Sequence, residues 1–556
     1  MEETIKDALS EIVFELAGSR VLVELDYPDE RFGDYSTNVA IKLASQLNTK
    51  PYDLAQTIAS KLAGNLKNEL RDVSIAGPGF INLVLSDSAL LGEMKSEPNK
   101  PLSNQSIVVE FSDPNPFKIL HAGHLYTSII GDAIANLLAN GGANVHRVNY
   151  GGDVGLHVAK SIWAMLRYLN GADPSKLDTI DSDKRYQWLS EMYVLGSSSY
   201  EEDPSAKEEI VKLNAQIYDI QSNNDHDSVL AHIYWTTRGW SYQQFDSFYA
   251  NLKIHFEKFY PESAVAPIGL NIVLEQLKKG VFRESQGAIV FDGERYGLHT
   301  RVFINSQGLP TYECKEIGLA ELKQRDYKFD RSVIITGSEQ EQYMAVVFKA
   351  LEQFTPEMVK KTTHLTHGIV RLSGGRKMSS RNGNILTADE VMHVANQAAM
   401  SLGNNNDERV VLGAVKYAFL KQRIGGDIIY EPEESVNVLG NSGPYLQYAY
   451  ARAHSILAKA DPSSVDDTIE LEPGERQLGL KLSRFAAYIN KATNEFSPHL
   501  VCSYLYDLAQ TFNRFYETNR VLGDQRETAR LFLAKTYAQR LEQGLSLLGI
   551  ETPDHL

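Results

Sequence analysis

The chain has 556 residues, 43% of them hydrophobic and 23% charged, with 71 acidic against 55 basic side chains and a formal net charge of −16. That balance argues against a protein that coats long nucleic acid by charge alone, while leaving room for a local basic face. No run approaches the ~18 apolar residues of a membrane span, and the acidic, amphipathic start MEETIKDALSEIVFELAGS is unlike a signal or transit peptide. Residues 1 to about 95 read as a small α/β unit, with helical patterns from Ile5 to Leu16, in STNVAIKLASQL and in DLAQTIASKLAGNL, and a strand in GPGFINLVLS. The polar stretch KSEPNKPLSNQS at 95–106 carries two prolines and reads as a linker.

From Ile107 the pattern becomes strand, turn, helix, strand. IVVEF suits a buried strand; in the helix that follows, Leu125, Ile129, Ala133, Leu137 and Leu138 share one face, and Gly141-Gly142 ends it before the strand VHRVNY. This is a βαβ unit, whose parallel sheet opens a ligand crevice at the carboxyl ends of its strands. Gly151, Gly152 and Asp153 follow the second strand and either border that crevice or form a plain turn. Residues from about 160 to 260 are helical, charged and rich in Tyr and Trp, as in an insertion or crossover. Strand signals return at GAIVFD, TRVFINSQGLPTY and SVIITGS. Beyond about 400, VVLGAVKYAFLKQR, YLQYAYARAHSILAKA, KLSRFAAYINKAT and ARLFLAKTYAQRLEQGLSLLG predict a helical bundle. At roughly 100–200 residues per domain, the length predicts three or four domains.

Two short stretches carry chemistry. In HAGH, His121 and His124 flank a helix start, where unpaired N–H groups and the helix dipole favour an anion, and Gly123 leaves the backbone open to a ligand. Imidazoles there can donate to phosphate oxygens without adding a permanent charge. In GGRKMSSRNGNILTADE, residues 374–390, Lys377 lies among glycines with Arg376 and Arg381 beside it, a loop suited to bring a cation onto a polyphosphate. Either stretch alone reads equally as surface or capping residues. Both on one α/β core point to a nucleotide.

HAGH resembles the HIGH signature of class I aminoacyl-tRNA synthetases, and KMSS their KMSKS loop. The chain resembles the arginyl-tRNA synthetase family through nearly its whole length: in VEFSDPNPFKILHAGHLYTSIIGDAIANLL, VNYGGDVG, LPTYECKEIGLA, ITGSEQEQYM, HGIVRLSGGRKMSSRNGNILTADE, NSGPYLQYAYARAHSIL and LLGIETPDHL, and in FGDYSTNVAIKLA and GPGFINLVLS near the N-terminus. The resemblance implies an α/β fold: a Rossmann-type parallel-sheet catalytic core at 101–395 with a helical insertion near 160–260. It adds an N-terminal α/β domain at 1–100 that binds tRNA, and a C-terminal α-helical bundle at 396–556 that binds the anticodon.

It further implies a ligase that activates L-arginine with ATP to arginyl-adenylate and transfers it to the 3′-terminal ribose of tRNA(Arg), releasing pyrophosphate and AMP, in most members only when tRNA is bound. His121, His124 and Lys377 are the catalytic residues it implies. With Gly123, Met378, Ser379 and Ser380, these would hold ATP. Mg²⁺ would enter with the phosphates. A guanidinium calls for carboxylates, and Glu110, Asp113 and Glu316 lie beside the motifs. By resemblance Asp113, Asn115 and His124 contact the substrate's amino-acid end, and Tyr312, Glu316 and Gln340 line its pocket. Glu316 stands where the family most often has Asp, and Asp113 where it often has Ser. Lys118, just before HAGH, reads as a phosphate contact or, more readily, as a solvent-facing lysine.

Phe80 and Asn82 alternate along a strand and match an aromatic-x-Asn pattern that the family uses on tRNA. Tyr445, Tyr448, Phe512 and Phe515 suit either unstacked bases or a helical core, so the bundle's role comes from the resemblance. No zinc module is expected from two cysteines, Cys314 and Cys502, which fit a reducing cytoplasm. Neither DNA nor a membrane is an expected partner.

Overall fold

Apolar runs that mark buried strands come together at the centre of one sheet in the computed structural model, which describes residues 1–170, 173–373, 386–402, 407–460 and 470–553. The first unit contains α1 (Glu2–Ala17), β1 (Tyr35–Thr37), α2 (Val39–Ala44), α3 (Pro51–Asn65), β2 (Leu70–Ala76), β3 (Phe80–Leu85) and α4 (Asp87–Met94). Its strands form an antiparallel sheet in the order β1-β3-β2 over a separate core that includes Ile5, Leu9, Ile58 and Leu83.

The central unit begins with β4 (Ser106–Glu110), α5 (Ala122–Asn140) and β5 (Asn144–Gly151). It continues through α6 (Leu156–Tyr168), α7 (Arg185–Glu202), α8 (Pro204–Ser222) and α9 (Val229–Leu252) to β6 (Lys258–Pro261). Next come α10 (Glu262–Lys278), the small antiparallel sheet β7 (Arg283–Ser285), β8 (Ala288–Phe291) and β9 (Arg301–Ile304), and α11 (Tyr312–Tyr327). β10 (Arg331–Gly337), α12 (Glu341–Glu352), α13 (Pro356–Lys360) and β11 (Thr362–His367) complete it. β12 (Val370–Leu372), α14 (Ala388–Ser401), α15 (Glu408–Leu420), β13 (Ile428–Tyr430) and α16 (Pro432–Ser435) lead to the helical end. There lie α17 (Gly443–Leu457), α18 (Pro473–Ser483), α19 (Phe485–Asn494), α20 (Pro498–Thr518) and α21 (Glu527–Leu547).

The central sheet is parallel throughout, in the order β11-β10-β4-β5-β6. From β4 the chain steps outward to β5 and β6 on one side, then returns to build β10 and β11 on the other. The order therefore reverses between β4 and β10, and a crevice opens beyond their carboxyl ends. Glu110 ends β4 opposite Ile334 of β10. The sequence reading found β4, β5 and β10 but neither edge strand, and it took KLSRFAAYINKAT as one helix where the chain turns at Arg484 between α18 and α19.

α5 is buried along nearly its whole length, because the sheet covers one side and the C-terminal helices the other. Gly131 allows the approach: a Cβ there would come within 2.2 Å of the Phe111 ring. α10 and α11 cross at a second close contact, where a Cβ on Gly269 would meet the Cys314 carbonyl at 2.1 Å and one on Gly318 the Val265 carbonyl at 2.2 Å. Arg476 of α18 ties the N-terminal unit to the bundle, pairing with Asp34 at 2.6 Å and Asp87 at 2.5 Å and donating to the Leu85 carbonyl. Among the described residues, no helix is long and apolar enough to cross a membrane.

Candidate active site

The loop from β4 to α5 supplies most of the site. Ser112, Asp113 and Phe117 all adopt positive φ, so the backbone turns sharply between Glu110 and the helix. Asn115 and Asp113 hold the neighbouring strand end: Gly152 N–H donates to Asn115 Oδ1 and Tyr150 N–H to Asp113 Oδ1, each at 2.8 Å.

His121 is the N-cap of α5, and its ring stacks on that of His124 at 3.8 Å. Its Nδ1 accepts from Gly123 N–H at 3.1 Å, while His124 Nδ1 accepts from His121 N–H at 3.2 Å. With both Nδ1 atoms accepting, each neutral ring carries its proton on Nε2. Burial pushes both imidazoles below their ordinary range, and His124 is lowered further by His121 and Lys118. The helix start therefore presents two neutral N–H donors beside its own unpaired backbone groups. Its first residues are also clamped to the segment beyond the glycine-rich stretch, Ala122 N–H donating to the Leu386 carbonyl at 2.8 Å and Ala388 N–H to that of Leu120 at 2.9 Å. Lys377, Met378, Ser379 and Ser380 lie outside the described residues.

Behind the histidines is a group of carboxyls. Glu110 and Lys323 form an ion pair, each 2% exposed, and Glu262 and Lys315 form another at 2.5 Å. Glu316 accepts from the Tyr343 hydroxyl at 2.6 Å. Burial and the nearby Glu110 push Glu316 up to about 8, and the same two causes raise Asp113 well above the carboxylate range. Glu110, Asp113 and Glu316 thus share one region, and the cation that acts on both Asp113 and Glu316 among the described residues is the Lys323 ammonium. Such a pocket is short of positive charge.

Tyr312 stands at the mouth, 48% exposed, its ring 5.0 Å from Lys315 Nζ and its hydroxyl 3.3 Å from His157 Nδ1. His157 donates from Nε2 to the Gly152 carbonyl at 2.6 Å and is pushed down by burial and by Lys118. Lys118 is half-buried, with its ammonium 5.4 Å from the Tyr193 ring, and its charge reaches His121, His124 and His157 alike.

Gln340 is exposed just beyond β10, in the turn that starts α12. Asp153 points away from the crevice, to Arg238 at 2.9 Å and to the backbone and hydroxyl of Ser263. Phe80 is 40% exposed and Asn82 buried, both on β3 of the N-terminal unit. Phe512 and Phe515 are core residues, Phe512 stacking on Tyr537 at 3.9 Å. Sequence reasoning missed His157, Lys323 and Tyr343. The Tyr343 signal lay in the quoted segment ITGSEQEQYM, whereas the two others carry no local mark.

The comparisons agree along the chain. Residues 86–432 match the family model for tRNA synthetases class I (R), catalytic domain; residues 1–85 match the arginyl tRNA synthetase N terminal domain, and 446–556 the DALR anticodon binding domain. The arginine–tRNA ligase of Bacteroides thetaiotaomicron is 29% identical over 96% of each chain. Among solved structures, the arginyl-tRNA synthetase of Thermus thermophilus superposes with a TM-score of 0.83 at 25% identity, covering both chains completely. That of Plasmodium falciparum gives 0.80 at 23% identity over 100% and 99% of the two chains, a likeness of fold.

Proposed function

The chain belongs to the class I arginyl-tRNA synthetases, and from that premise we propose how its residues carry out the reaction. It is an arginine–tRNA ligase. Arginine's carboxylate attacks the α-phosphorus of ATP, pyrophosphate leaves, and the arginyl group then passes to the terminal ribose of tRNA. Two anions must meet in the first step, so its barrier is largely electrostatic. The Nε2–H groups of His121 and His124, with the N-terminus of α5 and the bare backbone at Gly123, hold the phosphates and stabilise the crowded phosphorus. Lys377, with Met378, Ser379 and Ser380, meets the departing pyrophosphate, a role that rests on the sequence alone. Mg²⁺ enters on the phosphates. Its coordination there is mainly by phosphate oxygens and water rather than by a protein cage.

The acid cluster takes the guanidinium, with Tyr312, Glu316 and Gln340 lining its pocket and Asp113, Asn115 and His124 toward the amino-acid end. The observation that carries this reading is the placement of Glu110, Asp113 and the stacked histidines on one turn at the sheet's switch point. We assign the N-terminal unit, through Phe80 and Asn82, and the C-terminal helices to tRNA(Arg), and place the chain in the cytoplasm, where two buried free thiols remain reduced. ATP–pyrophosphate exchange with each amino acid in turn, with and without total tRNA, tests the reading. Exchange with arginine alone, dependent on tRNA, is expected; exchange with another amino acid, or none with any tRNA, overturns it.

A further inference from the structure

Tyr150, the penultimate residue of β5, is 9% exposed, and among the described residues its hydroxyl has no hydrogen-bond partner. An unsatisfied buried hydroxyl costs about 1–3 kcal/mol, so its presence requires a cause. Its surroundings supply one. The backbone N–H of Tyr150 is fixed by Asp113, and its side chain belongs to a buried cluster with Val108, Val148 and Tyr260. The hydroxyl lies within electrostatic reach of Glu262, Glu316, Tyr343 and Glu110, the groups that surround the cation site. Glu262 is already engaged by Lys315, Glu110 by Lys323, and one oxygen of Glu316 by Tyr343. None of these groups is within hydrogen-bond distance of the Tyr150 hydroxyl, so its oxygen is open to a donor that a ligand would bring.

We propose that Tyr150 is a specificity-determining residue of this pocket, its oxygen accepting a hydrogen bond from the guanidinium of bound arginine. This deepens the arginine reading and rests on it. Arginine carries five N–H donors in a planar fork. Carboxylates satisfy the outer edges of such a fork, and a neutral acceptor set between them completes it without adding a further negative charge to a pocket already crowded with them. A site that pairs a substrate N–H in this way also rejects analogues that lack it, because the hydroxyl stays unpaired.

The test is Tyr150→Phe, assayed by charging of total tRNA with arginine and by thermal unfolding of the free chain. The arginine KM is expected to rise about tenfold with kcat little changed, while the free variant melts at the same temperature as the parent or higher, since it loses an unsatisfied group. The shift in melting temperature produced by saturating arginine is expected to shrink in parallel. An unchanged KM overturns the proposal. So does a large loss of stability in the free variant, because the hydroxyl would then have a partner within the protein. If the parent charges tRNA with another amino acid, it is the arginine reading that falls, and the wild-type assay alone reveals it.

Discussion

His121 and His124 work as neutral donors, and their chemistry follows from burial rather than from charge. Replacing His121 with alanine removes one Nε2–H from the phosphates, with an expected loss of about 10²–10³ in the rate of activation and little change in the arginine KM; single-turnover adenylate formation measures it. The same burial makes a prediction about acid. His121, His124, His157 and His367 all have folded-state values lowered by burial from 6.5. Their contribution to stability is present above that pH and is lost as pH falls below it, so denaturant midpoints at pH 7.5, 6 and 5 should drop progressively. Glu316 behaves in the opposite sense. Raised to about 8 by burial, with Glu110 adding to the shift, it is protonated in the free chain at neutral pH. Arginine needs the ionised form, so the arginine KM should fall as pH rises toward 8 and level off above it; a KM independent of pH between 6.5 and 9 would contradict this. Glu110, Asp113, Lys323, Tyr343 and Glu262 are the other groups that bear on that carboxyl. The histidines were legible because two chemical signatures fall within four residues. The surroundings of Glu316 were not, since its partners arrive from β4, α11 and α12.

At the level of elements, the readable strands of the central sheet were its interior ones, β4, β5 and β10. β4 and β10 carry continuous apolar runs, whereas the edge strands Lys258–Pro261 and Thr362–His367 have one open side and too little hydrophobic pattern to stand out. The turn at Arg484 was hidden for a different reason: α18 and α19 keep one apolar periodicity across it, and only tertiary packing marks the break. The crossing of α10 and α11 depends on residues that carry no pattern at all. Gly318→Ala drives a methyl group into the Val265 carbonyl, a rigid backbone atom, and should cost on the order of 1–3 kcal/mol. Because the same crossing seats Lys315 against Glu262, and Glu316 is its neighbour on α11, the arginine KM should rise as well. Chemical denaturation and charging kinetics on one preparation test both effects.

Across the whole molecule, the N-terminal unit has a core that takes in Leu480 of α18, and among its polar links to the rest Arg476 makes three. Arg476→Ala leaves Asp34 without a cation and Asp87 with only Arg71, 3.7 Å away, and should remove about 3 kcal/mol of stability. If the unit acts on tRNA, the KM for tRNA rises and that for arginine does not; equal rises in both would mean the damage spreads through the sheet. The bundle is joined differently. Its apolar core is continuous with that of α5, Thr493 donates to the Leu137 carbonyl, and Lys416 donates to the Gly549 carbonyl near Asp132. α5 spans 19 residues, a rod of about 28 Å. Gripped by the bundle at one end and carrying the imidazoles at the other, it is a lever arm. A tilt of about two degrees moves its far tip by about 1 Å, and a misplacement of that size is worth roughly a hundredfold in rate. Cargo seated on the distal helices thus has a mechanical route to the reacting phosphorus, with no rearrangement needed in the nucleotide's immediate surroundings.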